Sequence, residues 1–500
     1  MTGPRAVLAV IDGAGPEATQ AAIDGGEAPV LAEIARRGPG VRPLAAAFPS
    51  VTPVCATAIA TGALQDEHAI PGMNWWSREA GRYIEYGSSF RAARRHGIQR
   101  QLVDTVYRLN GEHLSEGVRT VYETLDDAGL RTAGTTFLVY RGRHEQQVSK
   151  ETALSRIAGT IFREPVLGPR ELYYADIFAT RETGCRSQLG KPGVRDQHSG
   201  CVGAYLAERD LFDFLLLSLP DNDTASHRDG PHRQHEEIAV ADDQIRRVAE
   251  AAGGIDRFLD THAVIVCSDH GHGHVEQTFD LHAAFDGWRI AQPTPPMREN
   301  RKVAQEQAAA AEIALCPNQR AAMVYVLDPE RREELIPRLV ETAEAVPVVD
   351  LVCRIEGGRA VVSSPGRGQL RFVAGGDLLD DRGNRWTVEG DLEALKAHVV
   401  DGRIVSRRYP DALRRIWAGL HCATSGDLLL SAADGHEFLD WGGVGHEDGG
   451  SHGSLHASDS LGTLLYSGCE LLPPSAEAQD DFTASLSDIA PMVYRHFGLN

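Results

Sequence analysis

Apolar and polar positions fall into blocks along this chain, and the blocks predict alternating strands and helices. Residues 6 to 12 (AVLAVID) are apolar up to Asp12, which precedes Gly13. Such a run reads as a strand buried on both faces, with its carboxylate emerging at the carboxyl end. A helical rhythm follows in APVLAEIARRG, where Pro29 suits a first turn and Gly38 a stop. The clearest unit comes later: LFDFLLLSLP (211 to 220) predicts a strand, HEEIAVADDQIRRVAEAAGG (235 to 254) an amphipathic helix closed by glycines, and HAVIVCSDHG (262 to 271) another strand. That is a βαβ crossover, the unit of a parallel sheet with helices on both faces. Polar residues bunch after each strand, at 221 to 229 and 269 to 274, on the edge where open α/β sheets bind ligands.

From about 290 to 445 the pattern changes. Hairpin turns are signalled at Gly357-Gly358 and in DDRGNRW (380 to 386), and a helix in YPDALRRIWAGL (409 to 420). The ending, SDIAPMVYRHFGLN, reads as a capped helix with Pro491 in its first turn. The expected fold is therefore α/β: a doubly wound, mostly parallel sheet with helices on both faces, built from residues 1–290 and 446–500, with 291–445 inserted as an α+β cap.

Composition changes this picture little. The 500 residues are 42% hydrophobic and 24% charged, as in an ordinary globular chain. Seventy acidic against 50 basic residues give a net charge of -20, which repels nucleic acid polymers and anionic membranes. No run approaches membrane-spanning length, and the short apolar start lacks a basic leader, so a cytoplasmic protein is expected. Eight cysteines (Cys55, Cys185, Cys201, Cys267, Cys316, Cys353, Cys422 and Cys469) contain no Cys-x-x-Cys pair. Reduced thiols are expected, with neither a disulfide framework nor a thiolate zinc site.

The candidate chemistry sits at the predicted strand ends. In AAAFPSVTPVCATAIATG, Thr52 is placed to cap a helix that Pro53 opens and Gly62 stops, so its hydroxyl would lie among free amides at the positive end of the helix dipole. Asp223 and His227 stand four apart in DNDTASHRDGP, where one tight turn aims both at a single cation. Asp269 and His270 end the next strand, Asp12 ends the first, and GSHGSLHASDS supplies His452 and His456. Carboxylate and imidazole ligands without thiolates suit zinc or manganese in a catalytic site. Two divalent cations would be neutralised by three aspartates and an ionised Thr52, leaving the site receptive to an anion.

Taken in order, Asp12, FPSVT, DTASHRDGP, SDHG and a late His-x-x-Asp resemble the alkaline phosphatase superfamily, and within it the nucleotide pyrophosphatase/phosphodiesterase branch. The resemblance implies phosphoryl transfer at two divalent metal ions, zinc in that family's manner with manganese as the alternative. Asp12, Thr52, Asp269 and His270 match the ligands of one ion; Asp223, His227 and His456 match those of the other. Thr52 matches a nucleophile that forms a covalent phosphothreonine, and Asn74, in IPGMNWW, an amide that holds a phosphoryl oxygen. Asp223 is preferred to Asp221 for its spacing to His227, and His456 to His452 because HASD reproduces the His-x-x-Asp pattern. Ser226 departs from the family's glycine, and Asn74 lies one residue further from Thr52 than the pattern has it. Trp75 and Trp76 either stack on a planar substrate group or anchor the cap. His272 and His274 either hold a third cation or serve around the ligands and at the surface.

The function expected is hydrolysis of a small soluble phosphate ester, as a phosphodiesterase or nucleotide pyrophosphatase, with no nucleic acid polymer or membrane as partner. A phosphomonoesterase or phosphonate hydrolase would use the same ligands, and a non-catalytic protein merely braced by cations is the contrasting reading. A sulfatase is disfavoured, since Thr52 and Ala56 stand where Cys or Ser and an arginine belong. A serine-dependent phosphoglycerate mutase is disfavoured for the same threonine.

Overall fold

Along the first strand, Ala6, Leu8 and Val10 face one apolar cluster while Val7, Ala9 and Ile11 face another. A strand buried on both sides needs no polar alternation, which is why this run is continuously apolar. The computed structural model describes residues 3–149, 161–175, 177–186, 194–293, 310–479 and 481–499.

The central sheet has nine strands: β1 Ala6–Ile11, β2 Arg42–Ala45, β3 Thr132–Thr135, β4 Glu171–Tyr174, β5 Phe178–Ala179, β6 Phe214–Leu219, β7 Ala263–Cys267, β8 Leu461–Ser467 and β9 Ala484–Ser485. Their order is β9-β2-β8-β7-β1-β6-β3-β4-β5. β1 lies between two parallel neighbours, with Ile11 opposite Leu219 of β6 and Val10 opposite Cys267 of β7. β8 runs antiparallel to both β7 and β2, so the sheet is mixed around a parallel centre.

Helices cover both faces. They are α1 Pro16–Asp24, α2 Pro29–Arg37, α3 Thr52–Thr61, α4 Arg195–Glu208, α5 Asp221–Asp229, α6 Gln234–Ala251, α7 Ala412–His421 and α8 Ile489–His496. Val54 and Ile59 of α3 and Met492 of α8 pack on one face; Leu31 of α2, Val202 of α4 and Ile245 of α6 pack on the other. α2 begins at Pro29 as expected, and its free Val30 and Leu31 amides donate to the buried Asp242 of α6 rather than to a cap of their own.

A second sheet, also of nine strands, runs through residues 313–432 and is antiparallel save for one parallel pairing, Leu379 with Arg403. The predicted turn at Gly357-Gly358 joins two of its strands, both glycines having positive φ (57° and 78°). α7 fills the expected helix beside this sheet.

Two expectations change, and the open reading of Trp75 and Trp76 falls to the packing one. Asp221–Asp229 of DNDTASHRDGP form the nine-residue helix α5 rather than a tight turn; Asp223 and His227 therefore share a face by helical spacing. Cys185 and Cys201 form a disulfide, so the thiols are not all free. Trp75 and Trp76 are core residues, packed edge-on against His113 and Tyr83. Among the described residues no helix is long and apolar enough to cross a membrane.

The buried Arg415 of α7 ties the second sheet to the first. It donates to the carbonyls of Pro410, Leu455 and Ala47 and to Ser460 Oγ, at 2.7–3.2 Å. Arg415→Ala would leave four buried acceptors unmet and is expected to cost on the order of 4 kcal/mol, read by denaturant unfolding; an unchanged midpoint would show that this tie is dispensable.

Candidate metal centre

Three neighbouring strands discharge their acids at one edge. β1 ends one residue before Asp12, β6 runs through Pro220 into α5, and β7 leads to Asp269 and His270. Gly13 continues from Asp12 with φ +70°, and its N–H donates to Asp269 Oδ1 at 3.1 Å. A Cβ at this position would fall 2.6 Å from His272 Nε2, so glycine permits both the turn and the close approach. α3 aims a hydroxyl at the same place. The residue that caps this helix is Val51, one earlier than expected, and Thr52 is its first helical residue. Freed from capping, Thr52 Oγ1 lies 3.4 Å from His270 Nε2.

Asp223 is the hub of the second half. Its Oδ1 lies 3.0 Å from His272 Nε2, 3.4 Å from His227 Nε2 and 3.5 Å from His452 Nε2. Ligand atoms of Asp223, His227, His272 and His452 all fall within 4.8 Å of one another, and so do those of Asp12, Asp223 and His270. The rings are ordered by stacking: His270 on His452 with centroids 3.5 Å apart, and His227 on His446 at 4.0 Å.

The proton inventory shows what this arrangement can hold. His227 Nδ1 donates to Gly450 O and His452 Nδ1 to Ser50 O, each at 2.7 Å, and His270 Nδ1 to Gly271 O at 3.0 Å. With Nδ1 carrying the proton, a neutral imidazole presents a bare Nε2 lone pair. His270 Nε2 faces Asp269 Oδ2 at 3.5 Å and Asp12 Oδ1 at 3.6 Å, and those two oxygens are buried without a hydrogen-bond partner. Acceptor atoms of three residues thus converge, and neither carboxylate oxygen meets a hydrogen-bond donor, an arrangement that suits a cation. Burial, then the charges of Asp269 and Asp223, push Asp12 well above the usual carboxylate range. Burial pushes His272 down to about 4 and His452 well below its ordinary value, which favours in both the neutral form that a metal ligand requires.

Of the residues expected here, Asp12, Thr52, Asp223, His227, Asp269 and His270 are brought together. Asp221, the rival to Asp223, is taken up by Arg195 and the Asp196 amide. His456 is not in the group: its Nε2 lies 3.1 Å from Asp350 Oδ2 and 3.2 Å from Ala432 O. His452, the alternative to His456, stands there instead, its ring stacked on His270 and its Nδ1 bonded to Ser50 O. Asn74 is also withdrawn, since both hydrogens of its amide nitrogen are engaged, by Ile84 O and Glu85 Oε2. His272 joins the group, whereas His274 is exposed and bonds Gly449 O. Glu437 and His446 were not singled out from sequence. Glu437 receives the His446 Nδ1–H at 2.8 Å and so fixes the ring that stacks on His227.

Comparisons with known proteins bear on the family and the fold. The sequence model of the family described as type I phosphodiesterase / nucleotide pyrophosphatase matches residues 6–347. Among solved structures, phosphonoacetate hydrolase from Sinorhizobium meliloti, seen with phosphonoformate, is 16% identical, with 99% of this chain and 96% of that chain covered and a TM-score of 0.56. Murine ectonucleotide pyrophosphatase / phosphodiesterase 5, as an inactive variant with AMP, is 12% identical, with 100% and 96% covered and the same TM-score, 0.56. Its human counterpart is 12% identical, with 99% and 95% covered, at 0.54. No curated protein matches the chain.

His452→Ala is expected to weaken uptake of zinc or manganese by roughly 10–100-fold, whereas His456→Ala should leave uptake unchanged. Equilibrium dialysis of folded protein with elemental analysis distinguishes the two. Asp12→Asn should raise the melting temperature in chelator, by relieving carboxylate repulsion, and lower it when metal is present.

Proposed function

The chain belongs to the type I phosphodiesterase / nucleotide pyrophosphatase family and is a phosphoric ester hydrolase; we propose that it cleaves small phosphodiesters or nucleotide pyrophosphates through a phosphothreonine at Thr52. The observation that carries this reading is the pair of orphaned carboxylate oxygens, Asp12 Oδ1 and Asp269 Oδ2, facing the Nε2 of His270, with the Thr52 hydroxyl 3.4 Å from the same nitrogen.

Asp12, Thr52, Asp269 and His270 would hold one divalent cation, and Asp223, His227 and His452 the other, with His272 beside Asp223. Such ions supply neutralisation of phosphoryl charge and a lowered pKa for coordinated hydroxyls. Thr52 Oγ1 then attacks phosphorus in line, the ester or pyrophosphate oxygen departs with the bonding pair, and water hydrolyses the phosphothreonine to restore the hydroxyl. The Nδ1 hydrogen bonds of His227, His270 and His452 hold the three imidazoles in the tautomer this requires.

Phosphonate or phosphomonoester hydrolysis is the second reading, favoured by the similarity in fold to the phosphonoacetate hydrolase. Thr52→Ala should lower kcat by about 10²-fold or more while the protein stays folded and retains metal at the Asp223 site. Rates on nitrophenyl diester, monoester and phosphonate substrates rank the readings: a diester preference supports the first, a preference for either other substrate the second. Undiminished turnover by the Thr52 variant would sink the nucleophile assignment.

A further inference from the structure

We propose that Gln319 is the hydrogen-bond donor to the oxygen that departs from phosphorus, and that it governs which leaving groups the centre can expel. The inference rests on the reading of Thr52 as nucleophile. Gln319 begins the two-residue turn between the strands Ile313–Asn318 and Ala321–Val326 of the second sheet, which pair antiparallel with Asn318 opposite Ala321. It sits at φ +60°, in the left-handed region, where such turns ordinarily carry glycine, asparagine or aspartate. Strain of this kind, at a polar side chain beside a cluster of ligands, points to function.

The turn is clamped from both sides. Asn318 Oδ1 accepts from the amides of Met73 and Asn74, at 2.6 and 3.1 Å. Phe438 N donates to Gln319 O and Arg320 N to His452 O, each at 2.9 Å, and the buried Arg320 side chain pairs with Asp459 at 3.0 Å. What the turn presents to the centre is the Gln319 amide. Its Nε2 lies 3.5 Å from His227 Nε2, and its Oε1 accepts no hydrogen bond, so the backbone rather than the amide's own bonds sets its place. His227 Nδ1 already gives its proton to Gly450 O. Gln319 therefore donates to the lone pair of His227 Nε2, which is the lone pair a cation at Asp223 would take. A donor that loses its acceptor as the centre loads is left for the substrate. The amide is within reach: Gln319 is part-exposed, and the side chains of Asp223 and His227 are 19% and 14% exposed.

Its position decides which oxygen it meets. Thr52 Oγ1 enters the centre at His270 Nε2, 3.4 Å away, whereas Gln319 enters at His227, and Asp223 lies within 4.8 Å of the ligand atoms of both imidazoles. In-line attack ejects the departing oxygen on the side of phosphorus remote from Oγ1, toward the His227 end of the cluster. Oγ1 bonds to phosphorus and gives its proton to solvent. The bond from phosphorus to the ester oxygen breaks, that oxygen leaves with the pair while Gln319 Nε2–H donates to its growing charge, and it then takes a proton from water. An amide N–H does not titrate, so this donor is present whatever the protonation of the imidazoles around it.

The test uses the metal-loaded full chain and matched 4-nitrophenyl and phenyl esters, as methyl diesters and as monoesters. The readout is kcat/KM, which covers expulsion of the leaving group whatever the rate at which phosphothreonine is hydrolysed. Gln319→Met, which keeps the length of the side chain and removes the amide, is expected to lose about 10- to 100-fold on the phenyl esters and far less on the 4-nitrophenyl esters, whose oxyanion spreads its charge into the ring. Uptake of zinc or manganese, measured by equilibrium dialysis, should be unchanged. Gln319→Asn suits the left-handed region and draws the donor back by one methylene; it is expected to shift selectivity in the same sense and serves as the test if the methionine variant does not fold. Undiminished turnover of the phenyl esters, a loss shared equally by both leaving groups, or reduced metal uptake overturns the assignment while leaving the nucleophile in place. Undiminished turnover by Thr52→Ala removes the nucleophile and this inference together.

Discussion

Repulsion among three carboxylates at the ends of β1, β6 and β7 is the constraint around which the molecule is organised. Asp12 and Asp223 both fall within ligand reach of His270, and Asp269 meets the same imidazole nitrogen. No hydrogen-bond donor separates the oxygens Asp12 and Asp269 turn toward it. Charges so placed are tolerated because the strands beneath them cannot move apart: β1 is hydrogen-bonded on both sides and apolar on both faces. The stability of the sheet thus holds the acids in a geometry they would not choose alone, and a bound cation would relieve it.

The histidines complete this frame from the opposite direction in the chain. Each of three rings is fixed through Nδ1 to a backbone carbonyl, and two of the carbonyls come from distant segments, Ser50 and Gly450. Ser50 precedes Thr52 by two residues, so the same loop that orients His452 also starts α3 and aims the hydroxyl. The second sheet enters here too. Gln319, in the turn between two of its strands, lies 3.5 Å from His227 Nε2, and Glu437 holds the ring stacked on His227. One side of the centre is therefore built by residues 313–446, which strand-end reasoning alone does not reach.

What was legible in the sequence follows from how local each cause is. The strands and α6 declare themselves because burial on two faces or along one stripe leaves a periodic trace. Asp12, Asp223 and Asp269 were readable as acids stranded after apolar runs. His452 and His456 are four residues apart in one loop, and the choice between them rests on a ring stack with His270 that no local spacing encodes. Asn74 fails for a similar reason, since the residue that engages its amide, Glu85, lies on the facing strand of a hairpin. The Cys185–Cys201 pair, sixteen residues apart, matches no compact motif. The capping position slipped by one residue because Val51, extended at φ -118°, ends the preceding segment and leaves threonine inside the helix.

The withdrawal of Asn74 bears on how the transition state would be met. Helix α3 offers few amides of its own: Pro53 has no N–H, and the N–H groups of Val54 and Cys55 both go to Val51 O. The asparagine amide is likewise engaged, at Ile84 and Glu85, which leaves the N–H of Thr52 itself as the backbone donor at the start of the helix. In the proposed reaction, charge building on the non-bridging oxygens would then fall chiefly on the cations and on the dipole of α3. In that reaction the metals would be needed twice, for activating the nucleophile and for holding the phosphoryl oxygens that Asn74 cannot reach, and discrimination among phosphoryl groups would be set by total charge more than by hydrogen-bond pattern.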